Sequence, residues 1–146
     1  MAVVTGLNCK LYRNTGTYGS PTWNELPNVR DVTLNQTSDT ADASKRASAY
    51  KLNVTTLKDL SVNFEMVYVV SDDDWTTLKT AYYAGTAIEF AIVNGAIASS
   101  GTLGVRGTFQ VKDFTISQGL NDVEKASVVL SLTEAANAPS EMSISA

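Results

Sequence analysis

The chain has 146 residues, enough for one domain that buries roughly two thirds of the surface its unfolded form exposes. Apolar residues make up 44% and charged residues 18%, which excludes wholesale disorder, and no apolar run approaches the roughly 20 residues of a membrane-spanning helix. Histidine is absent, removing the commonest general base and transition-metal ligand, and 15 acidic against 11 basic residues give a net charge of −4, the wrong sign for gripping phosphates.

The opening residues, MAVVTGLNCKLYR, lack a basic region followed by an apolar stretch and a cleavage site, so a cytosolic birthplace is expected. Residues 7–12 are the first strand candidate; Cys9 alternates there with Leu7 and Leu11 and is expected to be a buried structural thiol. The turn signal NTGTYGSP leads to a second candidate over residues 29–35. Residues 35–48, NQTSDTADASKRAS, contain no large hydrophobic side chain, and such a long structureless connection is uncommon in a compact domain unless it is functional or disordered. Asp39 and Asp42 precede Lys45 and Arg46 at spacings that bring opposite charges within reach if the loop turns helically. Two readings stay open there: a solvated connection between strands, or an arm that orders on a neighbour through paired charges.

A short strand is expected over residues 50–55 and a longer one over residues 59–70, where Leu60, Val62, Phe64, Met66, Tyr68 and Val70 alternate with Ser61, Asn63 and Glu65. SDDDWTTLKTAYYAG is the one helical stretch, with Trp75, Leu78, Ala81 and Tyr82 at spacings of three and four. Ser71 is its expected N-cap, Asp72, Asp73 and Asp74 suit the positive helix N-terminus, and Gly85 suits the left-handed position after the last turn. Three consecutive aspartates entering a helix do not follow the alternate-ligand pattern of a calcium loop, so Ser71 and Asp74 are read as capping residues. Strands follow at TAIEFAIV, around Ile88, Phe90 and Ile92, and at KASVVLSL, with Ala126, Val128, Leu130 and Leu132 on one face. Between them, RGTFQVKDFTIS slips phase at Lys112 and Asp113, so one long strand with a β-bulge is expected. The tail EAANAPSEMSISA turns small and polar, and residues 133–146 are expected to form an arm outside the core.

The glycines of GTLGVRGTF match neither a phosphate loop nor a dinucleotide fingerprint and read as turn residues. NQT at 35 and NVT at 53 match the glycosylation pattern, but without a signal peptide they are set aside. Without histidine a conventional catalytic triad is impossible, while lysine-assisted serine chemistry stays open. No cofactor or metal site is indicated. The sum is a single, mainly β domain over residues 1–146: seven or eight antiparallel strands in a sandwich or distorted barrel with one flanking α-helix.

The order of LYRNTGTYGSPTWNELPNVRDVTLN, the acidic-then-basic loop TSDTADASKRAS, TLKDLSVNFEMVY, the helix with Trp75, and GVRGTFQVKDFTISQGLNDVEKASVVLSLTEAANAP resembles the major tail tube proteins of long-tailed bacteriophages, from Gly6 to about Pro139. The resemblance implies a β-sandwich with a flanking helix, assembled into hexameric rings that stack into a hollow tube whose inner sheets join into one barrel. It implies that residues 35–49 bridge subunits and rings, with Asp39, Asp42, Lys45 and Arg46 making the contacts. Side chains facing away from the core on the presumed inner strands, Asp31, Thr33, Asn63, Glu65, Thr108 and Gln110, are the lumen-facing candidates. Also implied are synthesis in a bacterial host cytoplasm, residence in the virion tail, tape-measure and tail terminator or tip proteins as partners, and double-stranded DNA passing through the lumen without specific binding. The rival readings are a monomeric β-sandwich acting as a binding or virion-decoration module, which the same fold supports, and an enzyme, which the absence of paired catalytic groups disfavours.

Overall fold

The computed structural model describes residues 3–98, 100–135 and 138–143. After a 3-10 turn at Gly6–Asn8 come β1 (Lys10–Asn14), β2 (Trp23–Glu25), β3 (Val29–Asp42), β4 (Asn53–Val67), α1 (Asp73–Ala84), β5 (Ala87–Val93), β6 (Leu103–Ser117), β7 (Lys125–Leu132) and β8 (Ser140–Ser143). The strands form one antiparallel sheet in the order β2-β1-β5-β6-β7-β4-β3, with β8 on β6. This is the mainly β architecture with a single helix that the sequence pattern indicates.

β6 makes the fold possible. It pairs with β5 through Gly104–Gln110 and with β7 through Phe109–Ser117, and its register shifts between Val111 and Asp113, at the expected bulge. The bulge kinks the strand and lets the sheet close over itself. Leu11, Phe90 and Phe109 from one half then share a core with Val62, Phe64, Met66, Val128 and Leu130 from the other. Phe90, Phe109, Met66 and Leu130 are wholly buried, each contributing about 1.5–3 kcal/mol of transfer free energy. Gly104 belongs to this closure, because a Cβ there would run into the carbonyl oxygen of Ile92 and into Val93.

α1 covers part of the core with Asp74, Trp75, Leu78 and Ala81. Trp75 packs edge-on between Tyr68, at 5.0 Å, and Phe114, at 5.3 Å. Tyr82 lies 43% exposed, off the buried stripe. Asp72, not Ser71, is the N-cap: its carboxylate accepts from the Asp74 N–H at 3.1 Å, while Ser71 takes a left-handed conformation (φ 68°) that turns the chain into the helix. Gly85 ends the helix at φ 70°, as its position suggested.

Several expectations give way to tertiary pairing. Residues 35–42 are the outer half of β3 rather than a loop, and the two strands expected over 50–55 and 59–70 are one strand that ends at Val67. Ladder hydrogen bonds come from the backbone, so a polar, threonine-bearing segment extends a strand wherever a partner runs alongside. Tyr68 and Val70 leave the sheet, Val70 being 79% exposed. Cys9 is exposed, with Leu7 90% exposed, because the 3-10 turn breaks the alternation before β1 begins. Of residues 133–146, Ser140–Ser143 return to the sheet as β8, pairing with Leu103–Arg106 where β7 leaves β6 uncovered. Residues 136, 137 and 144–146 of that expected arm lie outside the described residues.

Candidate functional site

β7 accompanies β4 only from Ser61 to Val67, so residues 53–60 of β4 and 35–42 of β3 continue as a ribbon of two strands. Eight residues at the rise of an antiparallel strand carry this ribbon roughly 25 Å past the end of β7. Its tip is tied by the Ala43 N–H donating to the Leu52 carbonyl at 2.9 Å and by the Leu52 N–H donating to Ser44 Oγ at 2.9 Å. The Ser44 hydroxyl and then its N–H, which donates to the Asp42 carboxylate at 2.8 Å, hold that carboxyl below its ordinary range. Asp39, Lys45 and Arg46 are exposed, and no ion pair joins either aspartate to Lys45 or Arg46. The helical turn that would bring them together is absent because Asp39 and Asp42 belong to a strand.

The ribbon inverts the pattern of the strand that carries it. In the body, Leu60, Val62, Phe64 and Met66 face the core, and Ser61, Asn63 and Glu65 face away. The register then shifts between Ser38 and Thr40, where two residues of β4, Thr56 and Leu57, stand against Asp39 alone. Beyond that bulge Val54, opposite Ala41, shares a face with Leu57, on the side that is polar in the body. Val54 and Leu57 are 54% and 75% exposed, and Tyr50 at the tip 79%.

The second surface is the sheet face opposite the main core. Thr33 pairs with Asn63, Arg30 with Glu65, and Ser131 of β7 bridges Ser61 to Gln110. Thr33, Asn63, Glu65, Thr108 and Gln110 therefore share one polar face, joined by Asp113 and Thr115 once the β6 bulge has taken up Lys112. Asp31 departs from the alternation: it sits in a register shift between Arg30 and Thr33, exposed, at φ 54°. Cations on this face are matched. Lys125 Nζ lies 3.1 Å from Asp122 and 3.3 Å from Glu65 Oε1, the latter an ion pair without hydrogen-bond alignment. The pairing, with Asp122 foremost, raises Lys125 above its ordinary value, and Lys125 in turn holds Asp122 low.

Two ion pairs that no spacing signalled pin the frame. Arg13 Nη2 donates to Asp74 at 2.9 Å, which makes Asp74 an anchor between β1 and α1 rather than a cap. Burial pushes the Asp74 carboxyl above its ordinary range, with Arg13 opposing. Arg106 donates from Nη2 to both oxygens of Glu89, at 2.8 and 2.9 Å, and to the Tyr18 carbonyl, and its guanidinium lies 4.0 Å from the centre of the Tyr18 ring and 5.1 Å from that of Trp23. Asn14 Nδ2 donates to Glu89 at 2.6 Å. The β1–β5–β6 register brings Asn14, Glu89 and Arg106 together, and Asp74 reaches Arg13 from α1, so only the folded chain reveals these pairs. Among the described residues no three acidic or cysteine side chains converge as a metal site.

No family model and no curated protein matches the chain. Solved structures do. The subunit of the SPP1 tail tube, solved by solid-state NMR and cryo-electron microscopy, superposes with a TM-score of 0.78 at 11% identity, over 99% of this chain and 81% of that one. A chain in the tail of an empty gene transfer agent particle, refined with helical and C6 symmetry, gives 0.72 at 14% identity over 97% and 98%. One from the sixfold-symmetrised baseplate of the anti-feeding prophage gives 0.60 at 7% identity, over 98% and 97%. From end to end, this chain has the fold of phage tail tube subunits.

Proposed function

We propose that the protein is a structural subunit of a phage tail tube, assembling into hexameric rings that stack into the conduit for genome delivery. The observation that carries this reading is the end-to-end likeness of fold to subunits of tails, one of them refined with C6 symmetry. The free edges support it. The half-sheet β6-β7-β4-β3 ends at β3 on one side and, beyond Gln110 where β5 leaves, at the last turn-ward part of β6 on the other. Unpaired edges invite another chain, and repeating this contact by rotation closes a barrel without edges. Thr33, Asn63, Glu65, Thr108 and Gln110 then face the lumen, where matched or negative charge lets DNA pass rather than bind. Asp31 borders them at its bulge.

The ribbon over residues 35–49 and beyond bridges subunits, Asp39, Lys45 and Arg46 offering their charges to a neighbour while Asp42 shapes the tip. Stacking is head-to-tail and does not close, so it yields a filament. The role is non-catalytic and requires no cofactor; a tape-measure protein and tail terminator or tip proteins are the further partners, and the virion tail is the destination after synthesis in the host cytoplasm. Negative-stain electron microscopy of the purified protein over a range of concentrations, with a sizing column, tests the reading. Uniform rings or hollow tubes are expected. A monomer that binds preformed virions but never self-associates, with or without a tail-tip initiator, would instead mark a decoration module.

A further inference from the structure

The two ends of the domain are chemically unlike. At the ribbon end, residues 43–52 carry Lys45, Arg46 and Lys51 and no acidic residue, and none of the three cations is in an ion pair. Beside them the apolar side chains of Tyr50, Leu52, Val54 and Leu57 are left in water. The other end lies where β4 finishes at Val67, beside Lys125 and Ser117, so residues 68–73 and the 118–124 turn meet there; the Tyr68 N–H donates to the Glu124 carbonyl at 2.9 Å. This end exposes Val69, Val70, Leu120 and Val123, and carries Asp72, Asp73, Asp122 and Glu124 against Lys125.

Resting on the self-assembling reading above, we infer that the 68–73 and 118–124 segments are the seat on which the ribbon tip of a second copy docks, its cations against Asp73 and Glu124 and its apolar side chains against Val70 and Leu120. Three features of the chain point to this occupant. Charge is complementary between the ends, and complementary charge sets register and suppresses wrong partners. Apolar side chains are exposed at both ends, whereas isolated ones need no explanation. Above all, Leu57, by ordinary alternation with Ser61, Asn63 and Glu65, and Val54, through the bulge at Ser38/Thr40, both face away from the body's own core side, so the body does not cover them. The ends lie at opposite extremes of β4, which makes the contact intermolecular and head-to-tail. Asp122 is already engaged by Lys125 and Asp72 by the helix N-terminus and Asn28, which leaves Asp73 and Glu124 as the charges for a neighbour.

The test compares the whole chain with three variants: the tip set Lys45→Glu, Arg46→Glu and Lys51→Glu, the seat set Asp73→Lys and Glu124→Lys, and the two sets combined. Either set alone is expected to leave rings but abolish stacked tubes in micrographs, and the combination, which restores opposite charge, to recover them. Thermal melts of each monomer separate lost docking from lost folding. In parallel, carbodiimide coupling of a mixture of isotopically light and heavy wild-type chains is expected to join Lys45 or Lys51 of one copy to Asp73 or Glu124 of another. Normal tubes from either single set, or wild-type tubes coupled only elsewhere, overturn the docking and leave the tube reading intact. A wild-type chain that neither assembles nor couples between copies at any concentration, with or without a tail-tip initiator, overturns both.

Discussion

The two halves of β4 contrast sharply. Residues 61–66 lie between β3 and β7 with Val62, Phe64 and Met66 in the core, whereas residues 53–58 lie beside β3 alone with Val54 and Leu57 in water. Both halves use the same backbone ladder, so hydrogen bonding does not distinguish them. Cover does: a strand covered on one face holds the monomer together, and one left bare has its apolar free energy to gain from another chain. In the proposed tube, stability and assembly are thereby separated along one strand.

The largest way to break that contrast is in the body. Phe109→Ala, at a wholly buried site, is expected to cost about 3–5 kcal/mol, read as a lower urea midpoint. Next comes Arg13→Ala, which strands the mostly buried Asp74 carboxylate; a loss of about 2–3 kcal/mol is expected, below that for a fully buried pair because both side chains keep some water. Replacing residues 41–54 by Asn-Gly, which preserves the Thr40–Thr55 pair, is expected to change monomer stability by less than about 1 kcal/mol and to abolish tubes. A comparable fall in monomer stability from this shortening would mean that the ribbon belongs to the body.

The smallest effect is in pH dependence, where Asp122 and Asp74 have opposite signs. The folded pKa of Asp122 is depressed, so its stabilising share is present above the ordinary carboxylate range and is lost as pH falls through the depressed value. The folded pKa of Asp74 is raised, so its contribution declines as pH rises through the raised value and recovers on acidification. Melting temperatures taken between about pH 2 and 6 should therefore fall less steeply for Asp122→Asn than for the wild type. A steeper fall would reverse the assigned sign.

Much of the body is legible in the linear order. Phe109, Val111, Phe114 and Ile116 record both the strand and its bulge, and Gly85 records the end of the helix. The ribbon is not: residues 35–42 look like a loop because strand signals are side-chain patterns, and a segment bare on both faces has none. The polar face is half legible, since alternation places Thr33, Asn63, Glu65, Thr108 and Gln110 together but misses the Arg30/Thr33 shift that removes Asp31. Sequence by itself determined the class of fold, the buried faces of β4 and β7 and the non-basic, histidine-free character of the chain, because periodicity and composition are local quantities. Only the tertiary structure decided that Cys9 is exposed, that Asp74 meets Arg13 and Glu89 meets Arg106, and that the Ser38/Thr40 shift puts Val54 on the same outward face as Leu57. Those outcomes depend on which strand lies beside which and in what register, and register is a relation between distant residues that neither segment carries alone.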